Sequence, residues 1–265
     1  MRPLLSRLPR LIAAAAGLAL GSLATPGLPG QALAEAVNIQ GSTTFSARLI
    51  EPYRSAIESR AGRQLDVIAN KSIHGLVALL QGRTHLAMIS SSIDGELEIL
   101  RQRFPKAVVE RLQSFEIART RIAFVAHPGN AVRRANLADI ARILRGDIRS
   151  WAELGGADIA ITVITTQPGG GVPTTVRSQL LGGNAMTPAR VIQVEASSNI
   201  VKITAQMEGA FGIAQLGLLG VARVLELETD TRVEQELNLV TLGEPGPAAA
   251  AVIEAARHVA ASNLF

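Results

Sequence analysis

Short apolar runs alternate with helix-period segments along this chain, and most of the runs end in small polar residues. Residues 37–40 alternate apolar and polar side chains as a half-buried strand does, and the polar stretch 41–46 precedes a segment with helical spacing. Two further strand-like runs, 64–69 and 86–89, are followed directly by the polar stretches 70–75 and 90–92. This alternation predicts an α/β protein with an open sheet, whose ligand binds beyond the carboxyl ends of the strands.

The first 34 residues have the features of an export signal. Three arginines among the first ten residues precede an apolar run over 11–23, and Ala32-Leu33-Ala34 places small residues where a signal peptidase reads them. The apolar run is shorter than the roughly 20 residues that a membrane-spanning helix needs. We therefore expect a cleaved signal peptide at 1–34 and a periplasmic mature protein.

Removal of this segment changes the charge of the chain. The full sequence has 26 basic and 22 acidic residues, whereas residues 35–265 have 23 basic and 22 acidic residues. This near balance gives no support to binding of nucleic acid or of a membrane surface. The sequence contains no cysteine, so we expect no disulfide despite export.

No sequence pattern indicates an activated catalytic group. The chain lacks a nucleophile elbow, a phosphate-binding loop that ends in Gly-Lys-Ser/Thr, and paired histidines at metal-binding spacing. His85, His127 and His258 fit structural roles in a strand, a turn and a helix, and Trp151 fits a core position. We expect no catalytic residue, no metal and no cofactor.

Two framework motifs are specific enough to indicate a family. One comprises the helix that begins Leu137-Ala138-Asp139-Ile140, the turn Gly146-Asp147-Ile148-Arg149-Ser150-Trp151 and the segment Glu153-Leu154-Gly155-Gly156. The other is the return strand Glu208-Gly209-Ala210-Phe211-Gly212-Ile213. With these motifs the mature chain resembles the periplasmic substrate-binding proteins of phosphate ABC transporters, which have the type 2 periplasmic binding fold.

The resemblance implies two α/β lobes that clamp a ligand between them. The first lobe would comprise residues 35–120 plus 217–265, and the second lobe residues 121–216. The two crossover segments would lie near Arg121 and Leu216.

The resemblance also implies three ligand-binding loops. Thr44 and Phe45 match a first loop whose backbone N–H groups contact the anion, and Ser72 with Gly75 matches a second loop. The third loop corresponds to residues 166–172. The predicted ligand-binding residues are Thr43, Thr44, Phe45, Ser72, Ser90, Gly170, Gly171 and Val172.

This sequence departs from the family pattern at two charged positions. Ser90 stands where the family usually has an Asp that accepts a proton-bearing phosphate oxygen. The third loop lacks the family's Arg, which offers a two-pronged hydrogen-bonding group to an oxyanion, and also its Ser and Thr hydroxyls. Lys71 and His74 are nearby cations, and the glycine-rich loop can be either a backbone anion site or a flexible turn. The sequence therefore predicts a small anionic solute without specifying phosphate.

Three hypotheses for function follow. The first is a monomeric transport receptor that delivers a small anion to ABC transporter permease subunits. The second is a periplasmic sensor or adaptor with a degenerate anion site. The third is a phosphoesterase-like hydrolase, for which the sequence offers the least support.

Overall fold

The structure is a computed structural model, and it describes residues 36–263. The predicted signal peptide lies outside the described residues. The strands are β1 (Val37–Ser42), β2 (Leu65–Asn70), β3 (Leu86–Ile89), β4 (Leu112–Ala126), β5 (Thr162–Thr166), β6 (Val191–Val194), β7 (Ala210–Gln215), β8 (Leu225–Glu226) and β9 (Val233–Leu242). The helices are α1 (Thr43–Phe45), α2 (Glu51–Ala61), α3 (Ser72–Leu80), α4 (Ile93–Leu100), α5 (Lys106–Val109), α6 (Leu137–Arg145), α7 (Gly171–Leu181), α8 (Ser198–Thr204) and α9 (Pro247–Asn263). None of these helices is long and apolar enough to cross a membrane.

The strands form one mixed sheet in the order β2-β1-β3-β9-β4-β7-β5-β6, with β8 paired to β4. β1 pairs in parallel with β2 and β3, and β5 pairs in parallel with β6 and β7. The two parallel groups are joined by the long antiparallel pair β4–β9, which runs from Leu112 opposite Leu242 to Ile122 opposite Val233. The prediction of an α/β protein with an open sheet is confirmed.

The buried side chains divide into separate hydrophobic cores along the sheet. Residues from 37–118 and from 237–260 form the buried cores beside β1, β3 and β9. Residues from 122–233 form the others, where Trp151 is 1% exposed and packs against Phe211 with ring centroids 6.3 Å apart. The prediction that Trp151 is a core residue is confirmed. The predicted lobe limits stay predictions, and Leu227 and Val233 pack in the same core as Trp151.

Strands pass into helices with shorter connections than the sequence pattern predicts. Gly41 and Ser42 belong to β1, and the helix begins at Thr43 because the Phe45 N–H donates to Ser42 Oγ at 3.1 Å. Gly41 has a φ of 139°, and a Cβ there would overlap the carbonyl oxygen of Met88 on β3. The polar residues therefore lie at the strand ends themselves rather than on long loops.

The helix predicted after residue 47 is interrupted, as the sequence indicates. A π-helical stretch, Ser46–Ile50, separates α1 from α2, and Tyr53 has non-helical dihedral angles directly after Pro52. Gly62 ends α2 in the left-handed conformation. Asn136 caps the start of α6, where its side chain accepts a hydrogen bond from the Asp139 N–H at 2.7 Å.

Candidate functional site

A cavity of about 310 Å³ lies at the carboxyl ends of six strands. Ser42, Asn70, Thr166, Val194 and Gln215 end five of these strands, and Ser90 follows β3 directly. We call this space the strand-end cavity. It is lined by Ser42, Thr43, Thr44, Asn70, Lys71, Ser72, His74, Ser90, Thr166, Gln167, Gly170, Gly171, Val172, Val194, Glu195, Ser197 and Gln215.

The fold brings most of the predicted site residues together. Seven of the eight, from all three predicted loops, line the strand-end cavity, and the exception is Phe45. The Phe45 side chain is fully buried in the core beside β1, and its backbone N–H donates to Ser42. The predicted contact of the Phe45 N–H with an anion therefore competes with the helix cap.

Three buried serines form one wall of the cavity. Ser42 Oγ donates to Ser90 Oγ at 2.8 Å, and the Ser90 N–H donates to Ser72 Oγ at 3.3 Å. Ser72 and Ser90 are at most 1% exposed, so these bonds hold the end of β1, the start of α3 and the end of β3 together. Hydroxyls that both donate and accept can satisfy one another here without any charged group.

Two helices begin at the cavity with uncapped first turns. The N-cap residues of α3 and α7 are Lys71 and Gly170, and neither provides a side-chain acceptor for the N–H groups of its helix. Such N–H groups, together with the helix dipole, attract an anion. In the glycine-rich segment, Pro168 and Gly169 form a turn, and Gly170 and Gly171 form the start of α7.

The two sides of the cavity contact each other through polar side chains. Gln215 Nε2 donates to Thr44 Oγ1 at 2.7 Å, and Lys71 Nζ donates to Gln167 Oε1 at 3.3 Å. Each bond joins a residue from the 37–118 part of the chain to a residue from the 122–233 part. Two side-chain hydrogen bonds therefore connect the two sides of the cavity.

Gly171 allows a close approach between the two sides. A Cβ at this position would overlap Ser90 Oγ and the Ser90 carbonyl oxygen, and it would lie 2.8 Å from Gln235 Nε2. Gln235 is fully buried, and neither its Nε2 nor its Oε1 has a hydrogen-bond partner among the described residues. Only glycine fits between the Ser90 backbone and the side chain of Gln235.

The ionisable residues on the cavity wall are Lys71, His74 and Glu195. Lys71 and His74, which the sequence predicts to be cations near the anion site, both line the cavity. Sequence reasoning missed Glu195 and Gln215, although both directly follow or end strands that it predicted. The rule that ligands bind at carboxyl strand ends, applied to every predicted strand, would have found both residues.

A buried carboxyl group lies behind the serine wall. Glu96 on α4 is fully buried, and its Oε1 accepts a hydrogen bond from Ser91 Oγ at 2.6 Å. Burial raises the pKa of Glu96 to about 7, although the Ser91 hydrogen bond and the charge of Arg177 favour the ionised form. Arg177 on α7 donates to the Gly95 carbonyl oxygen at 3.2 Å, so α4 and α7 are linked beside Glu96.

Comparison with known proteins gives consistent relatives. The model of the PBP superfamily domain matches residues 28–257. The phosphate-binding protein PstS of Bacillus subtilis is 25% identical over 208 residues, which cover 78% of this chain and 66% of that protein. The chain thus spans slightly less than two thirds of the length of this relative. The resemblance to the phosphate-binding family is confirmed.

Solved structures of such proteins have the same fold. A substrate-binding protein with bound phosphate, assigned to a phosphate ABC transporter of Clostridium perfringens, is 20% identical with a TM-score of 0.69. An ABC-type phosphate transport receptor from Vibrio cholerae is 16% identical with a TM-score of 0.67. Each match covers 86% of this chain, and 97% and 98% of the respective structures. These similarities show the two-lobe type 2 periplasmic binding protein fold.

Proposed function

Because the chain belongs to the PBP superfamily, we propose that it is an exported solute-binding protein that holds a small anion in the strand-end cavity and delivers it to an ABC permease. The observation that carries this proposal is the convergence of two uncapped helix starts, α3 and α7, on one bridged cavity. Backbone N–H groups fixed in this way bind an anion without a change in their own arrangement. The relatives, which are named as phosphate-binding or transport proteins, support the same role.

The anion need not be phosphate. Ser90 and Thr166 stand where the family pattern has an acidic acceptor and an arginine. Among residues 36–263, which the structure describes, no arginine lines the strand-end cavity. Without a two-pronged guanidinium, the affinity for a doubly charged oxyanion depends on backbone dipoles and on Lys71. We therefore expect weaker selectivity for phosphate over other small anions than in a site with both charged residues.

Titration calorimetry on the mature chain, residues 35–265, tests the proposal. The panel comprises phosphate, sulfate, molybdate and small organic acids, and we expect saturable binding of at least one of them. The variant Ser72→Ala removes a hydroxyl from the cavity wall at the start of α3, and we expect it to weaken that binding about tenfold through the loss of one hydrogen bond to the charged ligand. The variant Ser262→Ala, on the exposed end of α9, is the matched control. An absence of binding to the whole panel would refute the proposal.

A second role, as a periplasmic sensor or adaptor, is favoured by the missing charged residues of the third loop. In that case the protein would bind a partner other than a permease, and its cavity would bind solutes weakly. Affinity capture from a periplasmic extract separates the two roles. Recovery of permease subunits together with tight solute binding would exclude the sensor role.

We infer a binding role rather than catalysis, since the relatives are named as binding proteins. Ser42, Ser72 and Ser90 bond to one another and to backbone N–H groups, and among the described residues no hydrogen bond joins them to a histidine. A screen of phosphate esters with the wild type and Ser72→Ala tests this. Turnover that is lost in the variant would favour the hydrolase hypothesis.

A further inference from the structure

The wall of the strand-end cavity contains a carboxylate in addition to the two helix starts. Glu195 directly follows β6 and lines the cavity. Among the described residues, no ion pair engages its side chain. A free carboxylate on the wall repels a fully ionised anion, unless the ligand brings a positive group or a proton that the carboxylate can bind.

The position of Glu195 follows from the strand register. Val194 on β6 lies opposite Thr166 on β5, so Glu195 comes beside Gln167, the residue that accepts the Lys71 hydrogen bond. The buried serines 42, 72 and 90 come from the strand ends and helix start of the other side of the cavity. The acceptor carboxylate and the serine wall therefore belong to different sides of the ligand space.

The charges on the cavity wall nearly cancel. Lys71 contributes one positive charge and Glu195 one negative charge, and His74 is the third ionisable residue on the wall. A doubly charged phosphate would leave the site with a net negative charge in a partly enclosed space. A ligand with balanced charges fits this wall better.

The size of the cavity favours an organic ligand over an inorganic ion. Its volume of about 310 Å³ has room for many water molecules. An inorganic phosphate ion, with five non-hydrogen atoms, would leave much of this space to water. The volume lies at the lower end of the range for sites that bind small organic molecules, which starts near 300 Å³.

We propose that the ligand is a small zwitterionic organic molecule, with an oxyanion group at the starts of α3 and α7 and an ammonium group beside Glu195. This inference rests on the proposed binding function and specifies the chemical class of its ligand. The oxyanion receives the backbone N–H groups, and the ammonium group pairs with the Glu195 carboxylate. Glu195 thereby selects amino-bearing oxyanions over simple ones.

A matched pair of ligands tests the proposal by calorimetry on the mature chain. Ethylphosphonate and 2-aminoethylphosphonate differ only by the amino group, and inorganic phosphate is the third ligand. We expect 2-aminoethylphosphonate to bind about fivefold more tightly than ethylphosphonate, as suits an exposed ion pair. In Glu195→Gln we expect the ratio of the two affinities to fall to about one.

The control variant Glu208→Gln removes the same charge from an exposed position outside the cavity, and we expect it to keep the fivefold ratio. Equal binding of the two phosphonates by the wild type, or a preference that persists in Glu195→Gln, would overturn the zwitterion proposal alone. Binding of phosphate or ethylphosphonate in that case would leave the proposed anion-binding function intact. If no member of the pair, phosphate or the wider anion panel binds, both proposals fail.

Discussion

Replacement of Glu96 by glutamine is expected to change how the stability of the protein depends on pH. Glu96 is fully buried behind the serine wall, where one carboxyl oxygen accepts a hydrogen bond from Ser91 and the other has no partner among the described residues. Burial raises the pKa of Glu96 from 4.5 to about 7. The folded protein therefore holds this proton more tightly than the unfolded chain does.

The sign and size of the effect follow from proton linkage. The contribution of Glu96 to the free energy of unfolding is fully present below pH 4.5. It is lost as the pH rises through about 7, because the folded protein must then bury a charge. A shift from 4.5 to about 7 corresponds to about 3 kcal/mol in the free energy of unfolding. Glutamine keeps an oxygen for Ser91 but cannot ionise. The variant should therefore lack this loss, whatever its stability at pH 5.

Urea unfolding of the mature chain between pH 4.5 and 8.5 measures this difference. We expect the free energy of unfolding of the wild type to fall by about 3 kcal/mol more than that of Glu96→Gln across this range. Glu98→Gln changes an exposed carboxylate on the same helix and should retain the slope of the wild type. Parallel curves for the wild type and Glu96→Gln would refute the assignment of a raised pKa to Glu96.

Three further substitutions test the packing around the site and in the cores. Gly171→Ala should weaken anion binding by at least about tenfold, because its Cβ would overlap Ser90, whereas Gly220→Ala, which has no neighbouring atom within 4 Å, should bind normally in calorimetry. Trp151→Ala should lower the free energy of unfolding by about 3–5 kcal/mol in urea titrations, and a loss below about 1 kcal/mol would contradict its core role. Asn136→Ala should cost about 1 kcal/mol through the lost cap of α6, and an unchanged melting temperature would argue against that cap.

The sequence predicts elements well where a short apolar run stands between turn residues. Leu86–Ile89 has the predicted bounds, and α6 begins at the predicted Leu137. The long pair β4–β9 escaped prediction over most of its length. Its outer residues are polar and charged, as at Glu116 and Arg119, and they are stabilised by pairing with a strand more than 100 residues away in sequence. No local pattern carries that information.

The site was predictable where helix starts form it and less so where strand ends do. Serine, threonine and glycine at the starts of α1, α3 and α7 reveal their position because these residue types favour helix starts. Glu195 and Gln215 carry no such signal, since an acidic or amide side chain after a strand is common. Glu96 could not be anticipated at all, because a glutamate within a charged helix usually faces solvent.

The register of β4 against β9 has a consequence for the engineering of this protein. Thr120 lies opposite Gln235, and Arg121 lies opposite Glu234. The segment 122–233 therefore begins and ends at neighbouring positions on the β4–β9 pair. Antiparallel strands at this distance can be closed by a two-residue turn. The core around Trp151 is built from residues between these two points, and we expect that a short turn joining Arg121 to Glu234 can replace residues 122–233.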